Sequence, residues 1–314
     1  MTRTHAPRPA DLVALVSFDG EVYENQAVTR EALGKRPATP HAIAATVQQW
    51  LGRGRHIWID VRGRQIQGIA TARALSSRRA WEIDTLVDAG AGHEGVVTAL
   101  LAQASEAAAA ARVSQLLLRV RADAPALPEA LRAGFVRAVQ EELWMAERPV
   151  TAHTDEAARV VVRKAEKSDL FALFQFYNRV LPIGSRQALA MTFEEWQAVQ
   201  ERRWLGRAGR EFVACEDGDV RGALRVAPGA QFTLLVAPGF EAGAAALHAA
   251  ASAYLEGAER VLALQPMCAG TPASLLRARD YRLGGEYMLL ARRLMRPVAD
   301  AIPSAAGRTV PTRG

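Results

Sequence analysis

Residues 81–101 read Trp-Glu-Ile-Asp-Thr-Leu-Val-Asp-Ala-Gly-Ala-Gly-His-Glu-Gly-Val-Val-Thr-Ala-Leu-Leu and decide the fold of this 314-residue chain. Apolar side chains first alternate with Glu82 and Asp84, which is the pattern of a strand. Glycines then interrupt the pattern, and from Val96 the apolar residues recur at helical spacing. A strand, a glycine loop and a helix in this order direct backbone N–H groups and the positive end of a helix dipole at one point. Anions bind at such points.

The same order of elements occurs twice along the chain. In both halves the pattern predicts helices, a hairpin, a strand, a loop, a helix, a strand, a helix and a final strand. The spacing is nearly constant, because 155 residues separate the hairpin glycines Gly63 and Gly218, and 154 separate Gly68 and Gly222. One supersecondary unit written twice explains this spacing.

The repeat predicts the division of the chain into domains. We expect an N-terminal domain over residues 1–150 and a C-terminal domain over residues 159–296, joined by a polar linker near 149–158. A segment rich in Pro, Ala and Gly at 297–314 is predicted to be a disordered tail. The polar residues 1–7 are also predicted to be disordered.

Composition excludes several classes of protein. Half of the residues are hydrophobic, which is enough for a core in each half. No apolar stretch has the length of a membrane span or the features of a signal peptide, so we predict a cytoplasmic protein that does not contact membranes. Two cysteines and six scattered histidines show no ligand spacing, and we predict no metal site.

Three motifs resemble those of the GNAT superfamily of acyl-CoA-dependent N-acyltransferases. Residues 163–170 read Arg-Lys-Ala-Glu-Lys-Ser-Asp-Leu and are similar to the family's opening Arg-x-Ala-x-x-x-Asp. Residues 216–222, Glu-Asp-Gly-Asp-Val-Arg-Gly, resemble its hairpin. Residues 131–135 and 275–281 resemble its Leu-Tyr-x-x-x-Gly-Phe ending. The resemblance covers residues 8–148 and 159–296.

This resemblance implies an α/β fold of the α+β type. Two GNAT-like domains would follow in tandem, each with a mixed, mostly antiparallel sheet flanked by helices. The implied activity is transfer of an acetyl group from acetyl-CoA to a small-molecule amine, and a homodimer is left open.

The resemblance also implies which residues contact acyl-CoA. In the family, the loop before the central helix holds the CoA pyrophosphate with its N–H groups. The implied contacts in this chain are Val87, Gly92, Gly95, Leu235, Val236, Gly243, Ala244 and Ala245. We expect the second half to bind better because its loop residues are smaller, although Glu94 and Glu241 place a carboxylate near the expected phosphates.

The catalytic groups are predicted from the same resemblance. A carboxylate on the fourth strand is the family's usual base, and Glu82 and Asp84 fit that strand. A solvated strand face is the alternative explanation for both. The tyrosine that commonly protonates the leaving thiolate is replaced by Ala130 and Leu276. Tyr177 and Tyr287 could reach a cleft or belong to the core.

Two other functions fit the sequence. The first is a catalytically silent GNAT-like protein that binds CoA or another small ligand, which the altered loops and missing tyrosines favour. The second, which we expect to be the weakest, is a nucleic-acid-binding protein. It would use the arginines and tryptophans at Trp50, Arg53, Arg55, Trp58, Arg62 and Arg64.

Overall fold

The structure is a computed structural model that describes residues 2–19, 23–35, 42–50, 54–75, 79–90, 95–150, 160–199, 210–268 and 270–294. The predicted contact at Gly92, the residue Arg53 and the predicted tail at 297–314 lie outside these ranges. Most of the predicted linker does as well.

Within the described ranges, each half contains six strands and a long central helix. The elements of the first half are β1 (Thr2–His5), α1 (Leu12–Asp19), α2 (Ala42–Trp50), β2 (Arg55–Arg62), β3 (Gln65–Ala74), β4 (Ala80–Asp88), α3 (Val96–Ala110), β5 (Gln115–Arg121), α4 (Ala126–Arg132) and β6 (Val136–Ala146). Those of the second half are β7 (Val161–Lys164), α5 (Leu170–Val180), α6 (Ile183–Leu189), α7 (Phe193–Val199), β8 (Arg210–Glu216), β9 (Asp219–Ala227), β10 (Gln231–Val236), α8 (Glu241–Tyr254), β11 (Val261–Pro266), α9 (Gly270–Ala278) and β12 (Arg282–Arg293).

All twelve strands belong to one sheet, and the last strand of each half crosses into the other half. The order is β1-β2-β3-β4-β5-β12-β6-β11-β10-β9-β8-β7. Strand β12 pairs with β5 of the first half, and β6 pairs with β11 of the second half. The predicted fold class is confirmed, whereas this exchange was not predicted from the sequence. The domain limits at 150 and 159 remain a prediction.

Helices cover both faces of the sheet. Helices α3 and α4 pack on one face of the first half, and α8 and α9 cover the same face of the second half. Helices α1 and α2 cover the opposite face of the first half, while α5, α6 and α7 continue that layer. On β5, Leu116 and Leu118 face α3 whereas Leu117 faces the other layer, which is the alternation expected of a strand buried on both sides.

One expectation about the chain start is wrong. Residues 2–5 form β1, an edge strand that pairs antiparallel with β2 from Thr2↔Arg62 to His5↔Ile59. The Thr4 hydroxyl donates to Asp60 Oδ1 at 2.7 Å. An edge strand can be polar, because one of its sides and much of its surface face solvent. Its sequence therefore lacks the hydrophobic alternation of an inner strand.

The repeated glycines Gly68 and Gly222 allow the central helix of each half to approach the sheet. A Cβ added at Gly68 would lie 2.5 Å from Val96 Cγ1 and 2.7 Å from the Val87 carbonyl oxygen. A Cβ added at Gly222 would lie 2.7 Å from Leu247 Cδ1. Both glycines thus serve the same packing contact.

Gly68→Ala is expected to lower the free energy of unfolding by roughly 1–3 kcal/mol, because the backbone carbonyl of Val87 cannot move aside. Gly222→Ala should cost less, since the end of a flexible leucine side chain can shift. Urea denaturation would measure both. Gly184→Ala is the control, because Gly184 lies in α6 with nothing within 4 Å of the added Cβ. Equal stability of wild type and Gly68→Ala would contradict this account.

Candidate functional site

The first candidate site is the gap where β4 and β5 separate. The two strands pair in parallel from Ala80↔Gln115 to Ile83↔Leu118 and then diverge. A register shift between β3 and β4 leaves Asp84 as the extra residue of a β-bulge. Beyond the bulge, the edge of β4 at Leu86 faces the gap and needs new hydrogen-bond partners.

Residues 25–28 fill this gap with the protein's own backbone. The N–H of Gln26 donates to the Leu86 carbonyl at 2.9 Å, and that of Val28 donates to the Arg119 carbonyl at 2.8 Å. The Asn25 side chain accepts the Leu86 N–H at 2.8 Å. The segment therefore takes the place that an extended ligand with amide groups would otherwise occupy.

The N-terminus of α3 is also occupied from within the protein. The Glu129 carboxylate accepts the Thr98 N–H and the Thr98 hydroxyl, both at 3.2 Å. A carboxylate at this end of a helix satisfies first-turn N–H groups and offsets the positive end of the dipole. Gly95, the predicted phosphate contact, is the N-cap residue with a left-handed φ of 92°. An incoming phosphate would have to compete with Glu129.

The predicted bases Glu82 and Asp84 lie together on the α1/α2 side of β4. Only 3% of Glu82 and 8% of Asp84 are exposed, so a solvated strand face is excluded. Glu82 accepts from Arg73 Nη2 at 2.9 Å. Asp84 accepts from Arg55 and, at 2.5 Å, from the Thr71 hydroxyl. Guanidinium groups thus engage both carboxylates, and their catalytic role remains a prediction.

A cleft of about 940 Å³ opens beside these ion pairs. Asp84 and Arg55 line one wall, residues 23–35 another, and Tyr287 of β12 a third. Burial raises the pKa of the Tyr287 hydroxyl above its ordinary value. Tyr287 thus lines the cleft and also belongs to a buried hydrophobic cluster, so both alternatives for this tyrosine hold.

The equivalent gap in the second half is bridged by one side chain. The parallel pairing of β10 and β11 is limited to Gln231↔Leu262 and Phe232↔Ala263. Beyond it, Gln265 Oε1 accepts the Leu234 N–H at 3.2 Å. Gln265 is 2% exposed, and its Nε2 is buried without a hydrogen-bond partner among the described residues. A buried amide N–H₂ without an acceptor is costly, so this gap offers an unused donor.

The predicted phosphate residues of the second half lie in the first turn of α8. Ala244 and Ala245 are buried, and Gly243 provides room for the Phe240 ring, since an added Cβ would lie 2.1 Å from Phe240 Cε1. Packing therefore explains why these side chains are small. The groups left for an anion are the first-turn N–H groups, which have no partner within a helix. Glu241, an exposed acidic residue, lies in the same turn.

The remaining predicted contacts lie on β4 and β10. Val87 is fully buried in the core under α1 and α2, and Val236 packs under α8. Leu235 points to the opposite face, where it lines a second cavity of about 120 Å³. The positions of the missing tyrosines, Ala130 and Leu276, are both fully buried in the core.

This second cavity lies between α5–α7 and the sheet, where the two halves meet. Tyr177 lines it and also packs, partly buried, against a hydrophobic core cluster, so both alternatives for this tyrosine hold. Several charged residues that were not predicted as site residues line it too: Arg30, Arg119, Glu141, Arg186 and Arg225. They come from five separate segments, so no local motif joins them. The one signal was Arg119, a charge inside an otherwise apolar strand, because such a charge needs a buried partner.

Two residues of the predicted nucleic-acid surface are not available for that role. Arg55 pairs with Asp84, and Trp58 is 4% exposed in the core. No group of metal-binding side chains was found among the described residues. In those same ranges, no helix is both long and apolar enough to cross a bilayer.

Comparisons with known proteins identify the fold. No family model and no curated protein matches the chain in sequence. A tandem GNAT protein from the clavulanic acid biosynthesis pathway, solved without acetyl-CoA, is 14% identical with a TM-score of 0.50, over 94% of this chain and 99% of that one. A GCN5-related N-acetyltransferase from Sphaerobacter thermophilus is 15% identical with a TM-score of 0.51, over 96% and 98%. The chain therefore has the tandem GNAT fold.

Proposed function

We propose that the protein is an acetyl-CoA-dependent N-acyltransferase that binds acetyl-CoA in its second half and acetylates a small-molecule amine. The observation that carries this proposal is the contrast between the two gaps. Residues 25–28 fill the first gap, whereas among the described residues the Gln265 side chain bridges the second and has an unused donor. The tandem GNAT fold adds support from the chemistry of its relatives.

Groups of the second half can bind three parts of acetyl-CoA: the pantetheine arm, the diphosphate and the thioester. The edge of β10 at the Leu234 carbonyl and at Val236 can pair with the amides of the pantetheine arm, while the Leu234 N–H stays bonded to Gln265 Oε1. Gln265 Nε2 can donate to one of the carbonyls of the arm. The first-turn N–H groups of α8 can bind the diphosphate. The thioester would then lie near Leu235, beside the cavity that Tyr177 lines, and the tyrosine hydroxyl can protonate the leaving thiolate.

The silent binder remains the second candidate. It is favoured by Ala130 and Leu276, which leave the family's tyrosine positions apolar in both halves. The two candidates differ in turnover, not in binding. Release of CoA thiol from acetyl-CoA in the presence of an amine panel supports the enzyme. Acetyl-CoA binding without release supports the silent binder.

Glu241→Arg is expected to tighten acetyl-CoA binding by roughly 3- to 30-fold. The change removes a carboxylate from the first turn of α8 and adds a cation there, and each effect contributes about 0.3–1 kcal/mol near a helix N-terminus. Calorimetric titration with acetyl-CoA gives the dissociation constant directly. Because Glu241 is exposed, the substitution should leave the fold intact.

Glu259→Arg is the matched control, because it makes the same change in net charge at another exposed position of the second half. Its affinity should stay close to that of the wild type. A wild type and a Glu241→Arg variant that both fail to bind acetyl-CoA would refute the proposal. Binding that Glu241→Arg leaves unchanged but Gly95→Trp abolishes would move the site to the first half.

A further inference from the structure

The cavity between α5–α7 and the sheet is rich in guanidinium groups. Among the described residues, four arginines line it, Arg30, Arg119, Arg186 and Arg225, together with one carboxylate, Glu141. The cavity has a volume of about 120 Å³. Such a space has room for several water molecules or for a ligand of similar size. Positive charges in a confined, partly dry space favour an anion.

Neighbouring carboxylates compensate most of this charge. Arg119 Nε donates to Glu141 Oε2 at 2.6 Å and Nη1 lies 3.9 Å from Glu82, while Arg30 Nη2 lies 3.8 Å from Glu141. Arg225 is 3.5 Å from Glu211. These pairs anchor three of the arginines to the sheet and fix the geometry of the cavity wall.

Arg186 differs from the other three arginines. The other three have carboxylate partners, whereas among the described residues no carboxylate lies within 4.0 Å of the Arg186 guanidinium group. Its Nε is buried without a hydrogen-bond acceptor in those residues. It reaches the cavity from α6, a helix of the second half. A buried guanidinium N–H without an acceptor is costly, and a ligand carboxylate would satisfy it.

The cavity also adjoins the gap that the proposed function assigns to acetyl-CoA. Thr233 and Leu235 of β10 and Pro266 of β11 line the cavity, and the strands diverge between them. A molecule in the cavity can therefore place one end near the proposed thioester, beside Thr233, whose hydroxyl accepts from Arg30 Nη1 at 3.0 Å. Its other end can reach Arg186 of α6. An amine at the first end and a carboxylate at the second satisfy both environments.

We infer that this cavity is the acceptor subsite and that the acyl acceptor is a small amine bearing a carboxylate, of the amino-acid class. The inference rests on the proposed function. The amine nitrogen attacks the thioester carbon, forming a C–N bond as the C–S bond breaks. One proton leaves the nitrogen and one is taken up by the thiolate, so that an amide and CoA thiol are the products.

The test compares amino acids with their carboxamides, which keep the amine and lose the negative charge. Calorimetry with each compound should show binding of at least one amino acid and at least tenfold weaker binding of its carboxamide. Arg186→Gln should weaken binding of that amino acid roughly 10- to 100-fold and abolish the preference over the amide. Arg186→Lys, which keeps the positive charge, should retain part of the preference for the amino acid over its carboxamide.

Arg132→Gln is the control, because it makes the same change in net charge as Arg186→Gln. Arg132 is exposed on α4, at the opposite face of the sheet. It should bind like the wild type. Equal binding of acids and amides, binding of neither, or a preference that survives in Arg186→Gln would overturn the inference.

The outcomes separate this inference from the proposed function. If the protein binds carboxylates but not acetyl-CoA, the proposed acyltransferase activity and the acceptor role are both refuted. The cavity would then still be an anion-binding site. If the protein instead turns over acetyl-CoA with amines that lack a carboxylate, and Arg186→Gln does not change the rate, the acyltransferase proposal is supported. The inferred class of acceptor is then refuted. In an active enzyme, Arg186→Gln should raise KM for the amino acid and leave the dissociation constant of acetyl-CoA unchanged.

Discussion

Replacing Arg119 with leucine is expected to lower the free energy of unfolding by roughly 3–5 kcal/mol. The guanidinium group is 2% exposed and lies between Glu141, at 2.6 Å, and Glu82, at 3.9 Å. Removing it leaves the Glu141 carboxylate, which is 3% exposed, with only the more distant Arg30. Urea denaturation followed by circular dichroism would measure the change.

Two further variants make this result specific. Arg121→Leu removes the other arginine at the end of β5, where an exposed pair with Asp123 should contribute little, so its stability should stay near that of the wild type. The double variant Arg119→Leu/Glu141→Leu should be more stable than Arg119→Leu alone, because it also removes the carboxylate that has lost its partner. A single variant as stable as the wild type would contradict this account.

Most of the fold could be predicted from the sequence because its signals are local. Gly63 and Gly218 turn the two hairpins with positive φ values of 62° and 85°, and only local backbone strain is needed to favour glycine there. The exchange of β6 and β12 has no such signal. Both strands show the same alternation whichever half they join, so only long-range pairing decides between the two arrangements.

The occupied gap of the first half could not be predicted for a related reason. Residues 25–28 are held by two backbone hydrogen bonds and by the side chains of Asn25 and Gln26, whose partners lie far away in the sequence. The side chains of this segment show no strand pattern. Glu129 is similar, because its contact with Thr98 joins two helices through residues that are 31 positions apart in the sequence. The residues of the two loops therefore do not show that residues 25–28 and Glu129 contact the first loop and its strand from distant parts of the chain.

Glu82 and Asp84 could be recognised from the sequence as carboxylates of β4, but their burial and their partners could not. The alternation places them on one face, but it does not show that this face is buried. Arg55, Arg73 and Thr71 come from β2 and β3, and the hairpin register sets their distance from β4. A sequence shows which charges are out of place, whereas the fold decides what neutralises them.

Stability is expected to fall as the pH is lowered through the range from 6.5 to 4, because of a buried histidine in α8. His248 is fully buried, and its Nε2 lies 3.3 Å from the Tyr281 hydroxyl. Burial, with a smaller contribution from the charge of Arg279, lowers its pKa from 6.5 to about 4. The imidazole therefore stays neutral in the native protein at pH values where it is protonated in the unfolded chain.

The sign follows from proton binding in the two states. Between pH 6.5 and 4 the unfolded state binds the additional proton, so acidification favours unfolding, and the effect of His248 reaches about 3 kcal/mol below pH 4. Between pH 6.5 and 5 it is about 2 kcal/mol. Urea denaturation at pH 7 and pH 5 should show this loss in the wild type and in His5→Gln, the control at a partly exposed histidine outside the core. His248→Leu should lose that much less stability over the same interval, since other titrating groups contribute equally to both proteins. The same pH dependence in wild type and His248→Leu would show that His248 does not titrate as its burial requires.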